Sequence, residues 1–344
     1  MIIKIKNWKK AILNKEKTIK HAIKCLNDSA FQIILVEYKK KFFGTITDGD
    51  IRRGLVSGCK LSDKIEKIVN RNSVIAEDSM TLISVENLME INLINSLPIV
   101  DNKKKICGLY LSNFKEMSVE KPVVIFMAGG RGTRLMPLTK KTPKGMIKIN
   151  GIPMMEIILK KFINEGFSNF IFSVNYLSKK IINYFKDGSK WGVKIKYFEE
   201  KNYLGTIGSV YYLKKFIKDN FILINCDVIT KVQFLDMYKY HLKNESIGTI
   251  GTRVVETKSQ FGHLKTNGFE ILEILEKPVE KKFINAGIYI FNREVLKLLK
   301  KNKKTDIPDL LTKLLNEKKR LTIFPIYEKW DDIGRHKDLK KYKR

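Results

Sequence analysis

Little in this chain of 344 residues is suited to covalent staples or metal cages. Its four cysteines, Cys25, Cys59, Cys107 and Cys226, are scattered and form no CxxC pair. That excludes a disulfide framework and a zinc ribbon, and fits the reduced thiols of a cytoplasmic protein. The four histidines are equally dispersed, so no metal site is built from them. No apolar run approaches the ~18–20 residues that a membrane span needs. The opening stretch MIIKIKNWKKAILNKEK lacks the apolar core and small-residue cleavage site of a signal peptide. Neither a membrane nor secretion is expected.

Positive charge, by contrast, is abundant. Lys and Arg number 66 against 36 acidic residues, a formal net charge of +30. The lysines run along the whole chain, in KKAILNK, YKKKF, DNKKK and KKNKK, without forming one stripe interleaved with aromatics. This is the pattern of solvated faces, not of a nucleic-acid footprint, although such a field also attracts small anionic substrates. With 44% hydrophobic and 30% charged residues the chain has an ordinary globular composition. Its length predicts two domains.

The two parts differ in pattern. Residues 1–118 repeat a unit of helix, strand, turn, strand and helix at a spacing of roughly 65 residues, longer than a solenoid repeat. The first copy (about 1–58) carries TIKHAIKCLNDSA, FQIILVEY and FFGTITDGDIRRGLV; the second (59–118) carries TLISVENLMEINL, SLPIVD and ICGLYLSNF. In the first copy, Thr47 offers a hydroxyl and Asp50 a carboxylate, one able to donate to phosphate and the other to accept from ribose. The same residues also suit a helix entry, with Asp48-Gly49 as a turn and Asp50 as a cap.

This part resembles a pair of CBS domains over its whole length, most specifically in GTITDGDIRRGL. The resemblance implies a G-x-x-T-x-x-D site at Gly44, Thr47 and Asp50 for an adenine or guanine nucleotide, and assembly into a homo-oligomer, dimer or tetramer. The second copy departs from it, with Leu111 and Phe114 where Thr and Asp belong.

From residue 121 to 344, short apolar strands alternate with amphipathic stretches: VVIFMAGG, MEIILKKFINEG, NFIFSVNY, SKKIINYFKDG, KIKYFEE, GSVYYLKKFI, FILINCDV, QFLDMYKYHLK and IGTIGTRVV. That alternation predicts an α/β fold with a doubly wound sheet. Ligands in such sheets lie beyond the carboxyl ends of the strands. The loop after the first strand holds Gly129, Gly130 and Gly132, whose amides can approach a phosphate or a base. It is neither G-x-G-x-x-G nor a P-loop. Arg134 just beyond it and Lys144 in TPK complete the pattern of a polyphosphate clamp. FILINCDV ends in Asp227, a strand-end carboxylate that needs a metal or cation partner. EKP (Glu276, Lys277), NAG (Asn285, Gly287) and WDDIG (Asp332) follow, each of which alone also reads as a turn, a strand start or a cap.

Together and in this order, GRGTRLMPLT, PK, YLGTIGS, CD, EKP, NAGIY and WDDIG resemble the sugar-1-phosphate nucleotidyltransferases. The resemblance covers essentially all of 121–344. It implies a Rossmann-like, doubly wound mixed sheet of the GT-A-like type, preceded by the smaller tandem CBS module. The implied substrates are a nucleoside triphosphate and a sugar 1-phosphate, with Mg²⁺ held by Asp227 and Asp332. Arg134 then binds the triphosphate and leaving pyrophosphate, and Lys144 lies by the reacting phosphates. Ala128, Gly129, Gly130, Gly132, Thr133, Glu200, Gly205, Thr206 and Gly208 are implied to line the nucleotide. Gly262, Glu276, Lys277, Asn285 and Gly287 are implied to line the sugar. Gly145, Ile152, Tyr203 and His336 depart from the family pattern without removing a charged group.

The base is read from YFEEKNYLGTIG, which has Glu199 and Glu200 and no Gln. A carboxylate accepts from guanine's N1–H and amine, whereas uracil and thymine suit an amide. GTP is therefore expected over UTP and dTTP. The module order resembles enzymes that form GDP-glucosamine early in bacterial legionaminic acid biosynthesis. The alternatives are a mannose-1-phosphate guanylyltransferase, a glucose-1-phosphate uridylyl- or thymidylyltransferase, and an inactive nucleotide-sensing homologue.

Overall fold

The computed structural model describes residues 2–29, 31–92, 94–112 and 120–342. The chain forms two compact units, Met1–Val119 and Glu120–Arg344. Phe114 and the expected last helix of the second repeat lie outside the described residues.

In the first unit the repeat is visible in the hydrogen bonding. A helix at Ile19–Ser29 precedes an antiparallel hairpin of Ile33–Tyr38 and Lys41–Thr47; a helix at Leu82–Ile91 precedes a second hairpin of Ser96–Val100 and Ile106–Ser112. A short strand pairs in parallel with each hairpin, Ile12–Asn14 in the first and Ala76–Glu77 in the second. Ala11, Ile33 and Leu35 of one copy bury against Ile106 and Leu109 of the other. One apolar cluster therefore joins the two repeats, while Val85, Met89, Leu97, Ile99 and Tyr110 of the second form a core of their own.

The second unit is built on a seven-stranded sheet. Its strands are β1 (Val123–Ala128), β2 (Asn169–Val174), β3 (Lys194–Glu199), β4 (Asn220–Asn225), β5 (Gly248–Lys258), β6 (Val279–Asn292) and β7 (Leu321–Pro325). The order across the sheet is β3-β2-β1-β4-β6-β5-β7. β1 to β4 are mutually parallel, whereas β6 runs antiparallel to both neighbours, so the sheet is mixed. The chain winds outward from β1 to β3 and then returns to place β4 on the other side of β1. That reversal opens a crevice at the carboxyl ends of β1 and β4, where an α/β sheet takes its ligand.

The helices α1 (Met154–Asn164), α2 (Ser178–Phe185) and α3 (Phe234–Lys243) fall on the amphipathic stretches read from the sequence, and α4 (Ile307–Asn316) adds one that was not read there. An aromatic cluster fixes α1 and α3: Phe162 stacks on Phe234 with centroids 3.8 Å apart, and Phe126 of β1 contacts Phe162, Phe170 and Phe172. Such pairs add stabilisation beyond their buried area. GSVYYLKKF, expected as an amphipathic helix, is instead a 3₁₀ stretch over Gly208–Phe216. Its glycine is held against another backbone, because a Cβ at Gly208 would lie 2.9 Å from the Lys303 carbonyl oxygen.

One buried group ties this unit's stability to pH. His241 of α3 is 2% exposed; its Nδ1 lies 2.8 Å from Thr249 Oγ1 and its Nε2 3.2 Å from Asn220 Oδ1. An Asn carbonyl accepts only, so Nε2 carries the proton and the ring is neutral. Burial lowers its pKa to about 4. The unfolded chain therefore takes up this proton first, and stability falls as pH drops from about 6.5 towards 4, by at most about 3 kcal/mol. Urea midpoints at pH 7 and pH 5 should converge in a His241→Gln variant relative to the parent; an identical pH dependence in both proteins would refute the assignment.

Candidate active site

The site grows from the loop after β1. Ala128 is buried at the strand's end, and Gly129 follows where a Cβ would come 3.0 Å from Glu200 Oε1. Gly130 is open to solvent. Gly132 sits at φ +63°, and a Cβ there would lie 2.9 Å from Thr139 Cγ2 and 3.1 Å from Lys144 Cβ. The buried Thr139 hydroxyl donates to the Gly132 carbonyl at 2.9 Å, folding the loop onto itself. Only glycine meets both conditions, left-handed backbone and close approach. The result brings Arg134 and Lys144, ten residues apart, to one wall.

The opposite wall comes from a sequence-distant pairing. Val228–Thr230 runs antiparallel to Trp330–Asp332, with Val228 opposite Asp332, and the Ile333 amide donates to the Asp227 carbonyl at 3.0 Å. Asp227 and Asp332 are thereby held side by side. Lys144 makes an ion pair with Asp227, both side chains being almost buried. A Cβ on Gly334 would stand 3.5 and 3.6 Å from the two Asp332 carboxylate oxygens and 3.7 Å from Arg134 Cζ. Arg134, Lys144, Asp227 and Asp332 thus converge.

The electrostatics of that cluster are strained. Burial of its carboxyl, then the like charge of Asp227, push Asp332 up to about 6, against the pull of Lys144 and Arg134. Asp332 as a residue is exposed and is not among those lining the cleft, but its carboxyl lies beside that of Asp227 and next to the cleft-lining Gly334. Two neighbouring carboxylates raise one another's cost of ionisation unless a cation joins them. Lys144 supplies one such charge. Hard oxygen donors of this kind fit Mg²⁺, which takes one or two carboxylates and completes its shell with phosphate and water oxygens. Among the described residues no group of three or more His, Cys, Asp or Glu gathers as a metal cage, so the fit rests on this pair.

A cleft of about 260 Å³ opens over these groups, lined by Gly129, Gly130, Gly132, Thr133, Arg134, Lys144, Glu200, Gly205, Thr206 and Asp227. It also takes in Met127, Tyr203, Asn225, Cys226 and Gly334, which sequence reasoning did not assign to the site. The strand-end rule signals Asn225, the last residue of β4. Burial pushes the Cys226 thiol up to about 12, so it lines the cleft as an inert group.

Glu200 is 5% exposed and, among the described residues, has no cationic partner. Ser173 Oγ donates to its Oε1 at 2.8 Å and the Leu204 amide to its Oε2 at 3.0 Å, while Asn175 Nδ2 holds its carbonyl at 2.6 Å. Burial raises its pKa despite these donors. Each oxygen keeps a further lone pair for a ligand.

Other expected positions have structural employment. Gly205 lies at φ +83°, where a Cβ would collide with the Thr305 carbonyl oxygen at 2.5 Å. The Thr206 amide donates to Asp306 Oδ1 at 2.9 Å, and its hydroxyl accepts from the Ile307 amide at 2.8 Å, capping α4. Gly208 packs on backbone and does not reach the cleft. Gly287, at φ +72°, lies beside Asn225, and Asn285 Oδ1 accepts from the Gly287 amide at 3.0 Å.

Three expected sugar-side residues stand elsewhere. Gly262, Glu276 and Lys277 sit on an exposed arm beyond β5 and β6, next to one another but outside the cleft; Glu276 and Lys277 pair at 3.6 Å. The arm includes a hairpin of His263–Asn267 and Glu270–Leu275 that, among the described residues, pairs with no other strand.

In the first unit, the three motif residues are also engaged. A Cβ at Gly44 would lie 2.4 Å from the Asn70 carbonyl oxygen. The Thr47 amide and hydroxyl both donate to Asp50 Oδ2, at 2.8 and 2.7 Å, in a capping box for the helix Asp48–Val56. Asp50 also takes Arg53 at 2.5 Å.

The strained carboxyl generates a test. Because Asp332 has a folded pKa above its ordinary value, the folded chain binds this proton more tightly than the unfolded one, so the penalty of ionisation is complete above pH 6 and is lost as pH falls from about 6 to about 4. Without added metal, Asp332→Asn should melt roughly 2–6 °C above the parent at pH 7.5, and the gap should be about halved at pH 5. A variant melting several degrees lower at both pH values would contradict the geometry.

The chain is similar to known proteins over this unit. Residues 123–344 match the nucleotidyl transferase family. A UTP–glucose-1-phosphate uridylyltransferase of Synechocystis is 34% identical over 235 residues, covering 62% of this chain and 60% of the relative. A mannose-1-phosphate guanyltransferase of Candida glabrata is 32% identical over 224 residues, covering 62% of each chain. Among solved structures, HddC from Yersinia pseudotuberculosis complexed with GMP-PN aligns with a TM-score of 0.52 and 25% identity, over 64% of this chain and 98% of that one. The match spans between about half and three-fifths of the curated relatives' length.

Proposed function

This chain belongs to the nucleotidyl transferase family, and we propose that its second unit transfers a nucleoside monophosphate from GTP to a hexosamine 1-phosphate, releasing pyrophosphate. The observation that carries the proposal is the convergence of Arg134, Lys144, Asp227 and Asp332 over one glycine-lined cleft. A phosphate oxygen of the sugar 1-phosphate attacks the α-phosphorus; the new P–O bond forms as the bond to the bridging oxygen breaks, and pyrophosphate departs. No protein atom bonds to the substrate, so catalysis is positioning and charge stabilisation. Arg134 stabilises the triphosphate and then the leaving group, and Lys144 meets the charge that develops at the reacting phosphate. Asp227 and Asp332 would hold Mg²⁺, which neutralises the phosphates and lets two anions approach.

Guanine is favoured by Glu200. Its buried carboxylate lacks a cation, faces Gly129 across a gap too small for a side chain, and retains acceptor capacity for an N–H and an adjacent amine. On the sugar side, Asn225 lines the cleft and Gly287 lies beside it. The order of the units supports the narrower reading, glucosamine 1-phosphate and legionaminic acid biosynthesis, with the first unit as a CBS pair serving assembly or regulation. Thr47 and Asp50 would have to exchange their capping bonds for a nucleotide, which favours the assembly role.

A matrix of GTP, UTP and dTTP against hexose 1-phosphates, read by pyrophosphate release, tests the function. GTP with an amino- or acetamido-hexose 1-phosphate should lead, and Glu200→Gln should narrow the preference for GTP over UTP by at least about tenfold, the effect of one mispaired buried group. Equal or better turnover of UTP by the parent enzyme would overturn the guanine assignment.

A further inference from the structure

Among the described residues Tyr203 is the one large aromatic that lines the cleft, and the residue is 47% exposed. It lies three residues after Glu200 in a tight turn that the Glu200 carboxylate itself fixes through the Leu204 amide. The Lys304 ammonium stands 5.7 Å from the ring centroid and 3.9 Å from Asp306. Lys304 does not line the cleft, whereas Tyr203 does. The cation therefore lies outside the cleft lining, and among the described residues no other ring or cation contacts Tyr203.

An aromatic ring half open to solvent costs little to leave bare, and many such residues have no role. Three features distinguish this one. It borders the acceptor that would read the base edge, so ring and carboxylate address the same ligand from two directions. Its backing cation holds it in place, as cation–π contacts do. Gly130, which lines the same cleft, has nothing within 4 Å of where a Cβ would stand, and so leaves room for a flat ring.

We propose that Tyr203 is a stacking platform for the nucleobase and adds to the enzyme's preference for a purine. The inference rests on the nucleotide reading of the cleft. Glu200 reads the edge of the base through hydrogen bonds, and Tyr203 covers its face. Stacking is tolerant of sequence but grows with ring area, so a bicyclic base gains more than a pyrimidine. Selection for GTP then has two sources, only one of them polar.

Calorimetric titration of the full chain with GTP and with UTP, without sugar phosphate, separates the possibilities. Tyr203→Ala should weaken GTP binding about ten- to a hundredfold, the usual range for one stacked base, and UTP binding markedly less. Tyr203→Phe keeps the ring and should stay close to the parent. Circular dichroism checks that each variant is folded. Equal GTP affinity in Tyr203→Ala and the parent would overturn stacking while leaving the nucleotide reading intact. So would a Tyr203→Phe variant as weak as Tyr203→Ala, which would make the hydroxyl the contact. Failure of the parent itself to bind any triphosphate would overturn both.

Discussion

Everything at the cleft depends on holding Asp227 beside Asp332 with Lys144 between the walls. Two carboxylates repel, and bringing them together under partial burial is unfavourable unless something rigid compels it. Here the compulsion is the antiparallel pairing of Val228–Thr230 with Trp330–Asp332, reinforced by the Ile333 amide on the Asp227 carbonyl. Beneath it, Leu135 and Ile147 of the glycine-rich loop pack on Ile333 and Leu339 in one small core. Loop and carboxylates are thereby parts of one packed body. The apolar contacts stabilise an arrangement that the charges alone oppose, and the Asp332 carboxyl, raised first by burial and then by the like charge of Asp227, reflects both costs. Functional sites commonly hold such strain.

The winding of the sheet explains why the charges gather where they do. β1 and β4 are neighbours, so the loop after one and Asp227 after the other share an edge. β6 enters antiparallel between β4 and β5 and brings Gly287 against Asn225. The site is assembled from four distant segments, and each is positioned by backbone pairing. Side-chain packing does the rest. This is the pre-organisation that charge stabilisation requires, since donors already in place need not rearrange during reaction.

Much of this was legible in the sequence because its causes are local. Gly132 in GRGTR demands a left-handed turn, Asp227 ends an apolar strand, and the β/α alternation fixes the fold class. What was not legible depends on distance. No local signal in WDDIG says that it will pair with VIT, and the motif likeness supplied what spacing could not. Gly205 lines the cleft and Gly208 does not, yet the missing side chains of both accommodate the 303–305 backbone. Thr47 and Asp50 offered a hydroxyl and a carboxylate to a ligand, and the same two groups satisfy a helix start. Donor and acceptor chemistry is identical in both uses, so only the folded structure distinguishes them. Glu276 and Lys277 belong to a motif, but they lie on the arm outside the cleft.

The ion pair of Lys144 with Asp227 implies that the two residues act as a unit in charge stabilisation. A double-mutant cycle on pyrophosphate release measures this directly. Lys144→Ala and Asp227→Asn should each lower kcat roughly 10²–10³-fold, and the double variant should be little worse than the weaker single one, because a broken unit cannot be broken twice. Losses that multiply across the cycle would mean that the two residues act independently, and would contradict the account.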